Sequence, residues 1–391
     1  MIMTRHISAG LHYLIATGVA LSLLMFFLAE NGRANAFATY LVALAVLAVM
    51  VFPLPRRLLM ELPRGVLLMT VCLLQYLALS AWWSESGSLL LVLKFQGYAA
   101  LILLFALGLA ISIRRYDQFL VLLAALTLAA AAVSASYSAY LHFALPEYQP
   151  LPEPRLYGLG RLSNPVISAA SYGFASMLGL WLLIQRQPML QRLILVGVLC
   201  LLGLVILLSD TRAVWLALAV GASTGVALCL RDRTLLGFSV VFVVMGLVGL
   251  LAIGWEDVAR RGLSFRPEIW SEFVGRSVAA NPVFGVGSGT GSYWQTPALT
   301  FKHPHSVFVS TFFFGGIVGL ALFLGLLVAC ARLVQQARHS TVRILAAMLL
   351  SYGIVFGIFD GNNILTKIDY LWWLIWMPVG VCLCLDGQSR S

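Results

Sequence analysis

The chain has 391 residues, of which 61% are hydrophobic and only 10% charged, and its formal net charge is +10. Soluble domains carry about 25% charged residues, so this composition excludes one, and repeated apolar runs of roughly 20 residues describe an all-α polytopic membrane protein. The cations are spread over short loops without an aromatic-interleaved patch, so they read as topology signals, and no nucleic-acid partner is expected.

Taken in order, the apolar runs predict about twelve transmembrane helices in a single bundle over 1–391. They lie near 8–29, 36–52, 65–83, 89–113, 118–145, 165–184, 193–209, 211–230, 235–254, 305–331, 341–359 and 369–385. The first is long, continuous with the bundle and lacks a small-x-small cleavage site, so it reads as a span and not as a signal peptide. An even number of spans puts both termini on one side. That side collects fourteen arginines, among them Arg5, Arg56, Arg57, Arg114 and Arg115, against Glu61, Asp117, Asp232 and Asp386. The positive-inside rule makes it cytoplasmic. Six cysteines (Cys72, Cys200, Cys229, Cys330, Cys382 and Cys384) sit in apolar segments without metal-ligand spacing and read as small core hydrophobes.

Two loops on the opposite side stand out by length. The shorter, 146–165, is stiffened by prolines and carries Arg155 and Arg161. The longer, 255–304, contains Trp255, Phe265, Trp270, Phe273, Phe284, Tyr293 and Trp294, the aromatic content of a folded cap. Within it, apolar residues at Ile269, Trp270, Phe273, Val274 and Val278 predict an amphipathic helix over 267–280. Pro267 suits its first position and Asn281-Pro282 its end. Arg266 then stands at the helix N-terminus, where cation and helix dipole both favour an anion. The following run, Gly285 to Gly291, lacks the Lys-Ser/Thr of a P-loop; it reads as a tight turn approaching the bundle, with phosphate binding the weaker alternative.

Arg212 joins spans seven and eight with almost no loop, so it enters the edge of the bundle, either as a functional cation or as a snorkelling or Asp210-paired one. Lys94, a few residues into span four, invites the same question. Among six histidines, His6, His12, His142 and His339 read as structural or solvated. His303 and His305 differ, because Lys302-His303-Pro304-His305-Ser306 lies where a polar loop becomes an apolar helix.

His305-Ser306, nine residues, then Gly316-Ile317-Val318-Gly319 resembles the His-[Asn/Ser/Gln]-x9-Gly-x-x-Gly pattern of the bacterial O-antigen ligase and Wzy-type polymerase superfamily. Asn281-Pro282-Val283-Phe284-Gly285-Val286-Gly287, Gly160-Arg161-Leu162-Ser163-Asn164-Pro165, Arg266 and Arg212 are similar to further segments of that family. The resemblance implies a GT-C-type glycosyltransferase of the bacterial inner membrane with a periplasmic cap loop. Its donor would be a glycan on undecaprenyl diphosphate and its acceptor, for a ligase, a sugar hydroxyl of the lipid A-core. A leaving diphosphate needs guanidinium groups and an attacking hydroxyl needs a base. The resemblance therefore assigns His305 as base, Arg212 and Arg266 as diphosphate ligands, and Arg161, His303, Lys94 and Ser306 to the substrate pocket.

No cofactor is expected, and with neither Asp-x-Asp nor His-Glu-x-x-His no metal site is expected either. Gly315, Gly316 and Gly319 also have the small-residue spacing of closely packed membrane helices. Ligase, chain polymerase and protein O-oligosaccharyltransferase share this histidine and arginine logic, and the compact chain favours ligase. A transporter is the alternative outside the enzymes; it predicts inverted repeats, broken central spans or charges at mid-membrane depth, and none stands out in the sequence, where the charges cluster at span ends.

Overall fold

The computed structural model describes residues 2–51, 61–145, 155–158, 160–185, 187–229, 265–295, 300–338 and 340–385. The span expected at 235–254, the cap loop up to residue 264, residues 146–154, His339, and Arg56, Arg57, Arg231 and Arg233 lie outside the described residues, as do the side chains of Arg5 and His6. Twelve helices are described: α1 (Ile2–Leu28), α2 (Gly32–Val51), α3 (Arg64–Ser80), α4 (Leu89–Arg115), α5 (Phe119–Ala144), α6 (Pro165–Ile184), α7 (Met189–Leu208), α8 (Arg212–Cys229), α9 (Arg266–Ala280), α10 (Val307–Gln336), α11 (Thr341–Phe359) and α12 (Met377–Leu383). Among the described residues nine helices are long and apolar enough to cross a membrane, accompanied by shorter apolar stretches at Gly32–Ala48 and Trp372–Leu383. The chain is a multi-pass membrane protein.

With no water in the hydrocarbon layer, hydroxyls inside the spans turn back on their own helices. Thr70 donates to the Val66 carbonyl at 2.8 Å, Ser112 to Gly108 at 2.8 Å and Thr127 to Leu123 at 2.7 Å. Leucines such as Leu68, Leu90, Leu93 and Leu190 point away from the protein core, as lipid-facing residues do. The core itself is aromatic where the last segment enters it. Phe105 packs edge-on to Trp373, Phe26 does the same, and Trp376 donates its indole N–H to the Ile364 carbonyl at 3.0 Å.

That last segment departs from the regular span expected over 369–385. Residues 372–376 form wider turns before α12, because Pro378 has no N–H to return to Leu374. The freed Leu374 carbonyl lies against Gly353 of α11.

The amphipathic helix of the cap is α9, with Pro267 in its first turn and its end at Asn281. Its buried stripe is Ile269, Phe273 and Ser277, narrower than the sequence pattern, since Val278 is exposed. Phe273 meets Phe313 of α10 edge-on, with 5.0 Å between ring centroids, and Ser277 donates to the Phe312 carbonyl. Beside this small second core, Trp294–Gln295 (β1) pairs antiparallel with Thr300–Phe301 (β2), and Trp294 stacks on Phe301.

A break in α10 fastens the cap to the bundle. Gly316 has φ +61° and ψ −160°, so the helical ladder is interrupted there. The glycine run is inserted at the gap: Val286 and Gly287 donate to the Phe313 and Phe314 carbonyls, while Ile317 and Val318 donate to those of Pro282 and Val283, at 2.9 to 3.1 Å. The loop thus supplies partners to backbone groups that the broken helix leaves over. Gly285, at φ +71°, and Gly316 lie so close that a Cβ on either would press into the other's backbone neighbourhood. Gly315 and Gly319 serve the expected close approach, both against Tyr76 and Leu77 of α3.

Candidate functional site

The cap hairpin and the head of α10 deliver His303 and His305. Ser306 starts α10: its hydroxyl accepts the Val309 N–H and donates to the Gly357 carbonyl, each at 3.4 Å, and the residue is buried. His305, immediately before it, has φ +51°, a left-handed conformation uncommon outside glycine. Two partners hold it there. Its backbone N–H donates to Nδ1 of His303 at 3.3 Å, and its own Nδ1 lies 3.1 Å from Oδ1 of Asp360. The two imidazole rings are 3.9 Å apart, and Phe301 of the hairpin sets its ring edge-on to His305.

Asp360 caps the C-terminus of α11 and is 4% exposed. Burial alone would raise its carboxyl pKa, but the His305 hydrogen bond, the charges of His305 and His303, and the Gly361 N–H at 2.7 Å bring it below the usual value. This carboxylate–imidazole pair fixes the ring and leaves Nε2 as the nitrogen that can accept a proton. Burial, and then the neighbouring His305, lower the His303 pKa to about 4, so this ring is neutral near pH 7.

Two arginines complete the cluster. Arg266, the first residue of α9, donates from Nε to the Phe359 carbonyl at 2.8 Å, beside Asp360. Its pKa is lowered by burial, raised by Asp360 and lowered by Arg212, which places Arg212 within the same electrostatic neighbourhood. The Arg266 guanidinium stays charged regardless. Arg212 is delivered by the sharp Ser209-Asp210-Thr211 turn, with Asp210 at φ +50°. Arg155 holds that turn, donating to the Ser209 carbonyl at 2.9 Å, the Asp210 carbonyl at 3.2 Å and the Thr211 hydroxyl at 3.3 Å.

His305, Asp360 and Arg266 thus meet where three chain segments end, with Arg212 near enough for its charge to act on Arg266: one proton acceptor, its buried anchor and two cations. Such a set suits a transfer in which a hydroxyl loses a proton while an anionic group departs. Among the described residues His303, His305 and Asp360 are also the one group whose ligand atoms, all within 4.8 Å of one another, could hold a metal ion. In the arrangement seen, Nδ1 of each imidazole is already engaged within the protein, on the His305 N–H and on Asp360.

Residues 196–324 match the family described as O-antigen ligase. That segment contains Arg212, Arg266, His305 and the Gly316 break. The chain is similar to O-antigen ligases. An O-antigen ligase of Pseudomonas aeruginosa is 30% identical over 237 residues, a match that covers 60% of this chain and 58% of that protein's length.

Three of the residues assigned by resemblance lie elsewhere or act differently. Ser306 is buried in its capping role. Arg161 and Lys94 lie by a different cleft, where Arg161 packs over Phe26 and donates to the Ile368 carbonyl, and Lys94 stands 6.0 Å from the Tyr98 ring. Sequence reasoning missed Asp360 and the bracing role of Arg155. An acidic residue directly after an apolar span, followed by Gly361-Asn362-Asn363, was the available signal for Asp360.

Proposed function

We propose that the protein is an O-antigen ligase of the bacterial inner membrane, working at the periplasmic face of a twelve-span GT-C-type bundle with both termini cytoplasmic. It transfers a polysaccharide from undecaprenyl diphosphate to a sugar hydroxyl of the lipid A-core. The Asp360–His305 pair beside two arginines carries this reading.

In the transfer, Nε2 of His305 takes the proton of the acceptor hydroxyl while the hydroxyl oxygen bonds to the anomeric carbon. The bond from that carbon to the diphosphate oxygen breaks with its electron pair, and the configuration inverts. Arg212 and Arg266 hold the charge that accumulates on the departing diphosphate. Asp360 stabilises the imidazolium while the proton resides there. Charge is thereby balanced by side chains, and the reaction proceeds without a metal or another cofactor.

Deleting the gene tests the reading in the cell. Lipid A-core should lose its long polysaccharide while lipid-linked chains of normal length persist. Single repeat units remaining on the core would make the protein a polymerase instead.

A further inference from the structure

A second cationic cleft lies apart from the His305 cluster and shares no lining residue with it. Its volume is about 500 Å³. Its cations come from three distant parts of the chain: Arg33 in the first turn of α2, Arg161 in the short turn before α6, and Lys367 in the connection after α11. Among the described residues no carboxylate lines it; beside the cations stand the polar Asn31 and Thr39, and the rest of the wall is largely apolar or aromatic, including Leu101, Tyr40 and Tyr98.

Arg161 is firmly placed. It lies over the ring of Phe26 at 5.4 Å, donates from one Nη to the Ile368 carbonyl, and crowds Gly32, where a Cβ would collide with it. Its Nε is buried without a hydrogen-bond partner among the described residues. The acids nearby do little to cancel the cations. Asp369 accepts the Leu371 N–H at 2.9 Å, and burial pushes its carboxyl up to about 7, so it is only partly ionised at neutral pH. Glu30, in the α1–α2 turn with its backbone against Gly160, is exposed to solvent and does not line the cleft.

We propose that the cleft between Arg33, Arg161 and Lys367 is a second anion-binding site, taking the phosphate headgroup of a membrane lipid whose chain runs along Tyr98 and Leu101. Arginine forks and a lysine point charge together are a phosphate-binding set. A volume of 500 Å³ is far larger than a bare ion needs, and the apolar wall has no use for one. The cleft lies between α2 and α4, whose neighbouring Phe37, Tyr40 and Leu93 are exposed, so a lipid chain can enter sideways. This site does not depend on the transfer reaction.

Native mass spectrometry of the full-length protein in detergent tests it, with dioleoyl phosphatidic acid, dioleoyl phosphatidylcholine and inorganic phosphate as separate probes. The protein should retain one phosphatidic acid at least tenfold more tightly than phosphatidylcholine, since each lost charge-assisted contact costs on the order of tenfold in affinity. Inorganic phosphate should compete only weakly. The exposed pair Arg33→Gln/Lys367→Gln should abolish the preference, Arg33→Lys/Lys367→Arg should keep it, and His305→Ala should leave it intact even if the ligase reading fails. Equal retention of both lipids, an unchanged preference in the glutamine pair, or tight binding of phosphate alone would overturn the proposal. Loss of the preference in His305→Ala would also overturn it, by assigning the lipid to the other cluster.

Discussion

His305 gives up a relaxed backbone, at φ +51°, to set its ring between His303 and Asp360. A left-handed non-glycine residue costs on the order of 1 kcal/mol or more, and persists where its surroundings over-determine it. Asp360→Asn keeps the shape of the anchor but removes the charge that stabilises the imidazolium. It should lower kcat roughly 10²-fold with KM nearly unchanged; steady-state kinetics check this, and an unaltered kcat would remove Asp360 from the mechanism. His303 carries a pH prediction. Its folded pKa of about 4 lies below the ordinary 6.5, so between those values the unfolded chain binds a proton that the folded chain refuses. Its contribution to stability is therefore full above about pH 6.5 and falls as the pH drops toward 4. His303→Asn should flatten the decline of Tm between pH 6.5 and 4.5, as read by thermal unfolding in detergent.

At the scale of elements, the break in α10 decides where the site forms, because it ties the cap to the same helix whose head carries His305. Gly316→Ala puts a Cβ at positive φ and against the Val283 carbonyl. The change should lower stability by about 1–3 kcal/mol, with a drop in Tm as the measurement. Gly319→Ala meets Tyr76 and Thr311 at 3.3 Å and should be milder. The spacing of these glycines was legible in the sequence as a close helix approach, and Gly315 and Gly319 do pack that way. The break at Gly316 was not legible, since it depends on a loop some thirty residues earlier completing the hydrogen bonds of the helix. Helix α9 was legible to within a residue because Pro267 and Asn281-Pro282 punctuate it. Asp360 was harder to read for the same reason as the break: its place after an apolar span marks it locally, but its meaning comes from an imidazole 55 residues away.

Across the whole molecule, composition alone establishes the multi-pass class, because apolar runs of span length leave one solvent for them. The arginine asymmetry gives an orientation in which His305, Arg212 and Arg266 share one side of the bundle; in the structure Arg266 lies beside the His305–Asp360 pair, and the charge of Arg212 acts on Arg266. Arg161 and Lys94, which have the same chemistry and the same expected side, do not join them. Charge type was readable from the sequence, but the partition of the cations between the His305 cluster and the Arg161 cleft is a property of packing. The central claim is that the His305 cluster moves a glycan from lipid diphosphate to a hydroxyl. Its most direct measurement is transfer by the purified protein in liposomes containing undecaprenyl-diphosphate-linked polysaccharide and lipid A-core, in excess chelator. The wild-type protein should form the glycosylated product, while His305→Gln, folded to the same Tm, should form none above background. Full transfer by His305→Gln, or a wild-type reaction that stops in chelator and resumes with added divalent metal, would contradict the account.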